Sequence, residues 1–326
     1  MARGSRQKVA KVILISNPLS TRNQKFLPTV RAVLDDYPEV VHLEGGNFRH
    51  VYKRLKEYKG TSPELLIING GDGTIHTALT YIINNKIFKT MPLIAVLGGG
   101  MTNMIAKDLN TGERPNRALE KILACSFNQL CKHHTKERKL IRAQAEGEKT
   151  PVYGLFFGGA SMVNVMRYCT RRLYSWGFKG KIAQLVALFL YYASRALRWG
   201  RPGTLGYSPF LRITLDSGKK IEGRFSSLIA TTLHRLIFAT RAPVGSDGFT
   251  FYTLKPSFWS MVSSLVEGAF GTIEKTRNKG ITIDKVKKVI IEGGYPFTLD
   301  GEIYDNEKGR TVTLTHTLPL RFVSFN

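Results

Sequence analysis

Through residue 138, apolar side chains fall into short unbroken runs separated by stretches of helical spacing. Residues 9–15, 65–69 and 91–97 are such runs, rich in Val, Ile and Leu, and read as buried strands; residues 39–43 read as a further strand. Between them, residues 26–34 and 48–58 read as helices, and Ala78, Leu79, Ile82 and Ile83 recur at helical spacing after the run at 65–69. This alternation predicts a parallel sheet covered by helices.

From Lys139 onward the pattern changes. Residues 139–145 and 152–157, about a Glu146-Gly147 turn, read as a hairpin. Residues 210–215, 219–223, 226–232, 249–254, 295–299, 311–315 and 320–323 read as short strands bounded by turn residues, as in a sandwich. The predicted fold class is therefore α/β. A parallel-sheet domain spans 8–138, and a β-sandwich-rich domain spans 139–326, its last strands returning to the first domain. Residues 182–197 form the most apolar helical stretch, flanked by Arg171, Arg172, Lys179, Lys181, Arg195, Arg198 and Arg201. It is shorter than the roughly 20 residues that span a bilayer. It either lies on a membrane or packs on the second domain.

Charge narrows the partners. The 48 Lys and Arg against 24 acids give a net charge of +24, which calls for an anionic partner: a lipid surface, a nucleic acid or a polyphosphate. No zinc-finger spacing, RNA-stacking motif or basic zipper is present, so nucleic acid is not expected. Cys125, Cys131 and Cys169 form no CxxC pair, which argues against a disulfide framework or a zinc site and fits a reducing cytoplasm. His133 and His134 are sequence neighbours that do not face one another on a helix, and they read as a solvated segment. The basic start is followed only by the short apolar run 12–15, so it is not read as a signal peptide. A cytoplasmic protein, peripherally associated with membrane, is expected.

Three polar interruptions carry candidate chemistry. The run at 65–69 leads into Gly70-Gly71-Asp72-Gly73-Thr74 and a helix. Glycines between a strand and a helix let backbone N–H groups approach an anion, and the helix start favours phosphate. A carboxylate there would repel phosphate unless it holds a divalent cation or faces an acceptor hydroxyl, so Asp72 points to phosphoryl transfer. The loop matches neither the Walker nor the dinucleotide pattern, and a tight turn with a capping Asp remains the alternative. Gly98-Gly99-Gly100-Met101-Thr102-Asn103 repeats the arrangement at the next strand end, and Ser16-Asn17-Pro18-Leu19-Ser20 closes the first strand. Ligands of open α/β sheets bind at such ends. Leu299-Asp300-Gly301-Glu302 reads, on spacing alone, as a hairpin turn.

GGDGT, GGGMTN and LDGE together resemble the three signature boxes of the diacylglycerol kinase catalytic-domain family. That family includes diacylglycerol, sphingosine and ceramide kinases and bacterial soluble lipid kinases, and it is distantly similar to NAD kinases. The resemblance covers nearly the whole chain. It implies an NAD-kinase-like nucleotide domain, ATP and Mg2+ at an interdomain cleft, and a diacylglycerol-like or sphingoid hydroxyl as acceptor at an anionic membrane surface. By resemblance, Asn17 and Ser20 contact the nucleotide, and Gly70, Gly71, Gly73, Thr74, Gly100, Thr102 and Asn103 hold phosphates and ribose. Asp72 organises magnesium or the acceptor, Glu302, helped by Asp300, takes the hydroxyl proton, and Asp247 ligates a structural magnesium. As a base, Glu302 is expected to be partly buried.

The chain departs from the family at four positions. Thr21 replaces a Gly of the first-strand segment, and the second box, usually Gly-Thr-x-Asn-Asp, places Met101 for a hydroxyl and Met104 for an acid that sphingosine-kinase-like members also lack. Thr77 stands where many relatives have Glu. These changes bear on nucleotide affinity and choice. Two other readings stay open: a soluble NAD-kinase-like enzyme, which shares the first glycine loop, and a catalytically silent membrane-binding homologue.

Overall fold

The computed structural model describes residues 10–46, 48–168, 207–235, 247–256, 280–306 and 309–325. The helix expected at 182–197, Cys169 and residues 242–246 beside Asp247 lie outside them. The chain forms two compact units, one of residues 1–138 and 318–326, the other of residues 139–317.

In chain order the first unit comprises β1 (Val12–Ser16), α1 (Asn23–Leu34), β2 (Val41–Glu44), α2 (Phe48–Leu55), β3 (Leu65–Gly70), α3 (Asp72–Asn84), β4 (Leu93–Gly98), α4 (Met104–Asp108), α5 (Pro115–Leu123) and α6 (Phe127–His133). The four strands pair in parallel in the order β2-β1-β3-β4, and Phe322 pairs in parallel with Ile94 of β4. Every residue of β3 and β4 is buried, because these central strands are covered on both faces. Leu14, Ile67 and Ala95 pack with Leu27 and Val30 of α1 and with Leu119 and Ile122 of α5. Ile13, Ile15, Leu66, Ile68, Ile94 and Val96, of opposite parity, are also fully buried. From β1 the chain first adds β2 on one side and later β3 on the other, so its connections diverge between the carboxyl ends of β1 and β3. An open α/β sheet offers its ligand crevice there.

The second unit is β-rich. Residues Ile141 to Ala143 of β5 (Thr135–Ala145) pair with β6 (Val152–Gly154); then come β7 (Phe156–Gly159) and α7 (Ser161–Tyr168). They are followed by β8 (Phe210–Leu215), β9 (Lys220–Arg224), β10 (Ser227–Thr231), β11 (Phe249–Leu254), β12 (Ile281–Val286), β13 (Val289–Glu292), β14 (Phe297–Leu299), β15 (Glu302–Tyr304) and β16 (Val312–Val323). Strands β12-β11-β10-β7-β14-β15 form one antiparallel sheet, and β9, β8, β13 and the start of β16 form part of another. Phe157, Leu228, Phe249 and Phe251 of the first pack against Leu211, Val289 and Leu314 of the second and Ile141 of β5. This is the expected sandwich core. One detail differs. Residues 312–323 form a single strand, not two, because Pro319 lies beyond the 312–314 stretch paired with β13 and its missing N–H breaks no bond of that ladder. Among the described residues, no helix is long and apolar enough to cross a membrane.

Candidate active site

Three loops of the first unit meet at the carboxyl ends of β1, β3 and β4. The two glycine loops touch backbone to backbone: a methyl group placed on Gly100 would lie 2.4 Å from the Cα of Gly71. Only glycine permits that approach. Thr74, almost fully buried, ties the first glycine loop to the β1–α1 loop, accepting from Asn17 Nδ2 at 3.1 Å and lying 3.4 Å from Ser20 Oγ. Asn17 Oδ1 in turn accepts the N–H of Leu19 at 3.0 Å, which turns the chain toward α1. The structure therefore brings Asn17, Ser20, Gly70, Gly71, Thr74 and Gly100 together.

Asp72 has an unexpected part in this arrangement. It opens α3, yet its carboxylate faces α4: Oδ2 accepts the N–H of Met104 and Oδ1 that of Ile105, each at 3.0 Å. The residue preceding α4, Asn103, gives no side-chain cap to its own helix. Asp72 thus caps a helix 32 and 33 residues away and locks the two glycine loops in register. The residue is half-buried; burial of its carboxyl end pushes the pKa up, against the two amides and Lys107, which pull it down. Met104, standing where the family has an acid, presents its backbone and not its side chain to Asp72.

Asn103 is spent on its own loop. It adopts a left-handed backbone (φ 50°), its Oδ1 accepts the N–H of Gly100 at 2.8 Å, and its Nδ2 donates to the carbonyls of Gly98 and Gly100 at 3.1 and 2.8 Å. It shapes the second glycine loop. Thr102 is half-buried beside it, with Lys107 Nζ on its carbonyl at 2.6 Å, and Met101 is 37% exposed at the loop tip. Thr77 turns its hydroxyl back onto the carbonyl of Gly73 at 2.8 Å, as Ser and Thr do within helices.

The structure adds residues that the motifs did not single out. Asn23, fully buried, donates through Nδ2 to the carbonyls of Asn17 and Asn69 at 2.8 and 3.1 Å, while its N–H reaches the carbonyl of Gly99. Arg22 donates to the carbonyls of Gly98, Gly112 and Glu113 at 3.0, 3.3 and 3.4 Å. Asn69 and half-buried His42 both reach Ser16 Oγ, at 3.3 and 2.9 Å; burial above all lowers the pKa of His42. The carboxamide oxygens of Asn23 and Asn69 are buried without a hydrogen-bond partner. These unsatisfied acceptors call for a donor such as a hydroxyl group, while the glycine contact leaves backbone room for phosphate.

In the second unit, Asp300 and Gly301 form a two-residue hairpin turn between β14 and β15, with φ of 48° and 94°. Asp-Gly favours this turn because both residues tolerate left-handed backbone. The Asp300 side chain is buried and accepts the N–H groups of Leu155 and Phe156, at 2.8 to 3.1 Å, where the chain leaves β6 for β7. Glu302, expected to be partly buried, is exposed: it opens β15 opposite Leu299, at the turn end of the hairpin. Asp247 is exposed as well and paired with Lys139, at 3.1 Å, and with Lys287. The two ammonium groups hold its pKa down at about 2.

For a divalent ion the donor chemistry separates the two candidate aspartates. Magnesium in phosphoryl transfer is held by one or two carboxylates together with substrate phosphates. Asp72 fits such a role, since each of its oxygens keeps a lone pair beyond the amide bond. At Asp247 the described neighbours are two ammonium groups, which a divalent ion would have to displace, and residues 242–246 before it lie outside the described residues. No cluster of three metal-ligating side chains occurs among the described residues.

Residues 11–133 match the family model of the diacylglycerol kinase catalytic domain. Over these residues the chain is similar to a diacylglycerol kinase catalytic domain. The matched span contains both glycine loops and the whole of the hydrogen-bonded network around them, and it ends before Asp247, Asp300 and Glu302. No curated protein matches the chain. Among solved structures, a putative diacylglycerol kinase from Bacillus anthracis str. Sterne is 18% identical with a TM-score of 0.66, over 98% of this chain and 99% of that one. A diacylglycerol kinase structure from the same organism is 15% identical with a TM-score of 0.62, over 98% of both chains. At these identities the likeness speaks for the fold. The expected α/β fold is shared with these structures.

Proposed function

We propose that the protein is a lipid kinase that transfers the γ-phosphate of ATP to a lipid hydroxyl, diacylglycerol-like or sphingoid, as a peripheral protein at the cytoplasmic face of a membrane. The observation that carries this reading is the backbone contact of two glycine loops at the ends of β3 and β4, beside the point where the strand connections diverge and inside the matched span. Phosphoryl transfer asks for phosphate positioning, charge neutralisation and a proton acceptor near the attacking hydroxyl. Backbone N–H groups of Gly71 and Gly73, with Thr74 and Thr102, hold phosphates, and Gly100 lets the second loop come close; Asn17 and Ser20 set the edge of the nucleotide pocket. Asp72 keeps the loops in register and offers the carboxylate on which magnesium, when bound with the nucleotide, would neutralise phosphate charge. Exposed Glu302 takes the hydroxyl proton, its hairpin held by Asp300.

Purified protein incubated with labelled ATP and a total lipid extract should yield a labelled lipid. Glu302→Gln should lower kcat by about 10²–10⁴ with nucleotide affinity little changed, the range general-base catalysis supplies. Label transferred to NAD, and to no lipid, would replace this reading by the NAD-kinase-like one. A Glu302→Gln enzyme within about threefold of wild type would remove Glu302 from the role.

A further inference from the structure

Helix α2 is a cationic surface braced by aromatic rings. Val51 and Leu55 are buried, while Arg49, His50, Lys53, Arg54 and Lys56 are exposed, the last just past the helix end. The segment 48–56 carries five basic side chains and no acid, and the first acid, Glu57, follows only after the helix has ended. Beside them, Tyr52 stacks face to face on Tyr81 of α3, with centroids 3.7 Å apart and planes within 3°, and packs against Phe48 at 5.6 Å. The Tyr81 hydroxyl donates to the carbonyl of Tyr52 at 3.4 Å, and that of Tyr52 to Thr77 at 3.5 Å. Phe48, Tyr52 and Tyr81 are each half-buried. The stack therefore fixes α2 against α3, the helix that Asp72 opens beside the glycine cradle.

We propose that α2, with Phe48 and the Tyr52–Tyr81 stack at its edge, docks on an anionic lipid bilayer and sets the cradle next to the membrane surface. The proposal rests on the lipid-kinase reading for its purpose, and on the helix alone for its chemistry. Clustered Lys and Arg within a Debye length of roughly 8 Å feel the negative surface potential of such a bilayer, and half-buried aromatic rings suit its headgroup level. A nucleic acid is the poorer occupant. Base stacking needs open ring faces, whereas Tyr52 and Tyr81 spend a face on each other and Tyr52 also packs on Phe48. The helix has eight residues and can lie on a bilayer but not cross it.

The test uses the full chain, co-sedimented with vesicles of phosphatidylcholine alone or mixed with phosphatidylglycerol. Binding should require phosphatidylglycerol and fade with salt. Lys53→Glu with Arg54→Glu should weaken it by about tenfold or more, as expected for two reversed charges at a surface. The matched double change Lys86→Glu with Lys89→Glu, at exposed positions past α3, should leave it within about threefold. Equal loss in both doubles would reduce the effect to net charge and overturn the proposal, as would wild-type binding in the α2 double, or capture of RNA in preference to vesicles. Lipid phosphorylation in uncharged detergent micelles separates the two readings. An α2 double that turns over normally in micelles yet misses vesicles supports the docking surface. A wild type that docks through α2 and phosphorylates no lipid keeps the surface and defeats the kinase.

Discussion

Asp72 shows how one side chain can serve structure and chemistry by the same atoms. Because each oxygen accepts a different backbone N–H, an asparagine is not an equivalent cap: its single oxygen can satisfy Met104 or Ile105, and its amide would face the other donor. Leaving one such N–H unsatisfied costs about 1–3 kcal/mol. Asp72→Asn should therefore lower stability by about that amount in urea unfolding and also depress turnover, so loss of activity alone does not identify a metal ligand. Wild-type unfolding in the variant would show that the two bonds do not bear on stability and would leave Asp72 a chemical role only. Asp300 repeats the device, its carboxylate serving the two amides at the β6–β7 corner. In both motifs the acid that looks chemical in the sequence is holding backbone in place.

At the scale of elements, the two glycine loops predict an asymmetry. A methyl group on Gly100 would meet the Cα of Gly71 at 2.4 Å, whereas one on Gly71 would meet the Cα of Gly100 at 3.3 Å, a distance a small shift relieves. Gly100→Ala should spread the loops, cost about 1–3 kcal/mol and abolish nucleotide binding, while Gly71→Ala should cost less than about 1 kcal/mol. Calorimetric titration with ATP and thermal melting of both variants check this; equal behaviour would mean the loops do not depend on their contact. The strands beneath were legible, since runs such as 65–69 and 93–97 admit little besides a strand covered on both faces. The glycine loops were legible because glycine between strand and helix has few uses. Asn23 and Arg22 were not: each bonds carbonyls of distant strand ends, and nothing in the spacing of single polar residues signals a partner 46 or 76 positions away. The trans cap from Asp72 to α4 escaped for the same reason, and because a five-residue helix leaves hardly any periodic trace. Single exposed strand ends were misjudged too, as when Glu302 was expected to be partly buried.

For the whole molecule, the excess of positive charge bears on individual surface carboxylates as well as on its partners. At Asp247, where the family resemblance implies a structural magnesium, Lys139 of β5 and Lys287 after β12 supply two ammonium groups to one carboxylate. A divalent ion would have to displace them or join a group that is already net positive, and exposed pairs of this kind contribute little stability of their own. The protein without nucleotide should therefore melt at the same temperature in excess EDTA and in millimolar Mg2+. The measurement is sensitive enough to decide. A site present at a hundredfold excess of metal over its Kd stabilises the folded state by about 2.7 kcal/mol, and each kcal/mol moves the Tm of a chain this size by roughly 1.5 °C. A rise of several degrees on adding Mg2+ alone would place a metal at Asp247 despite its lysines. A rise seen only when ATP is also present would place the metal with the nucleotide phosphates and not at Asp247, which is the outcome expected.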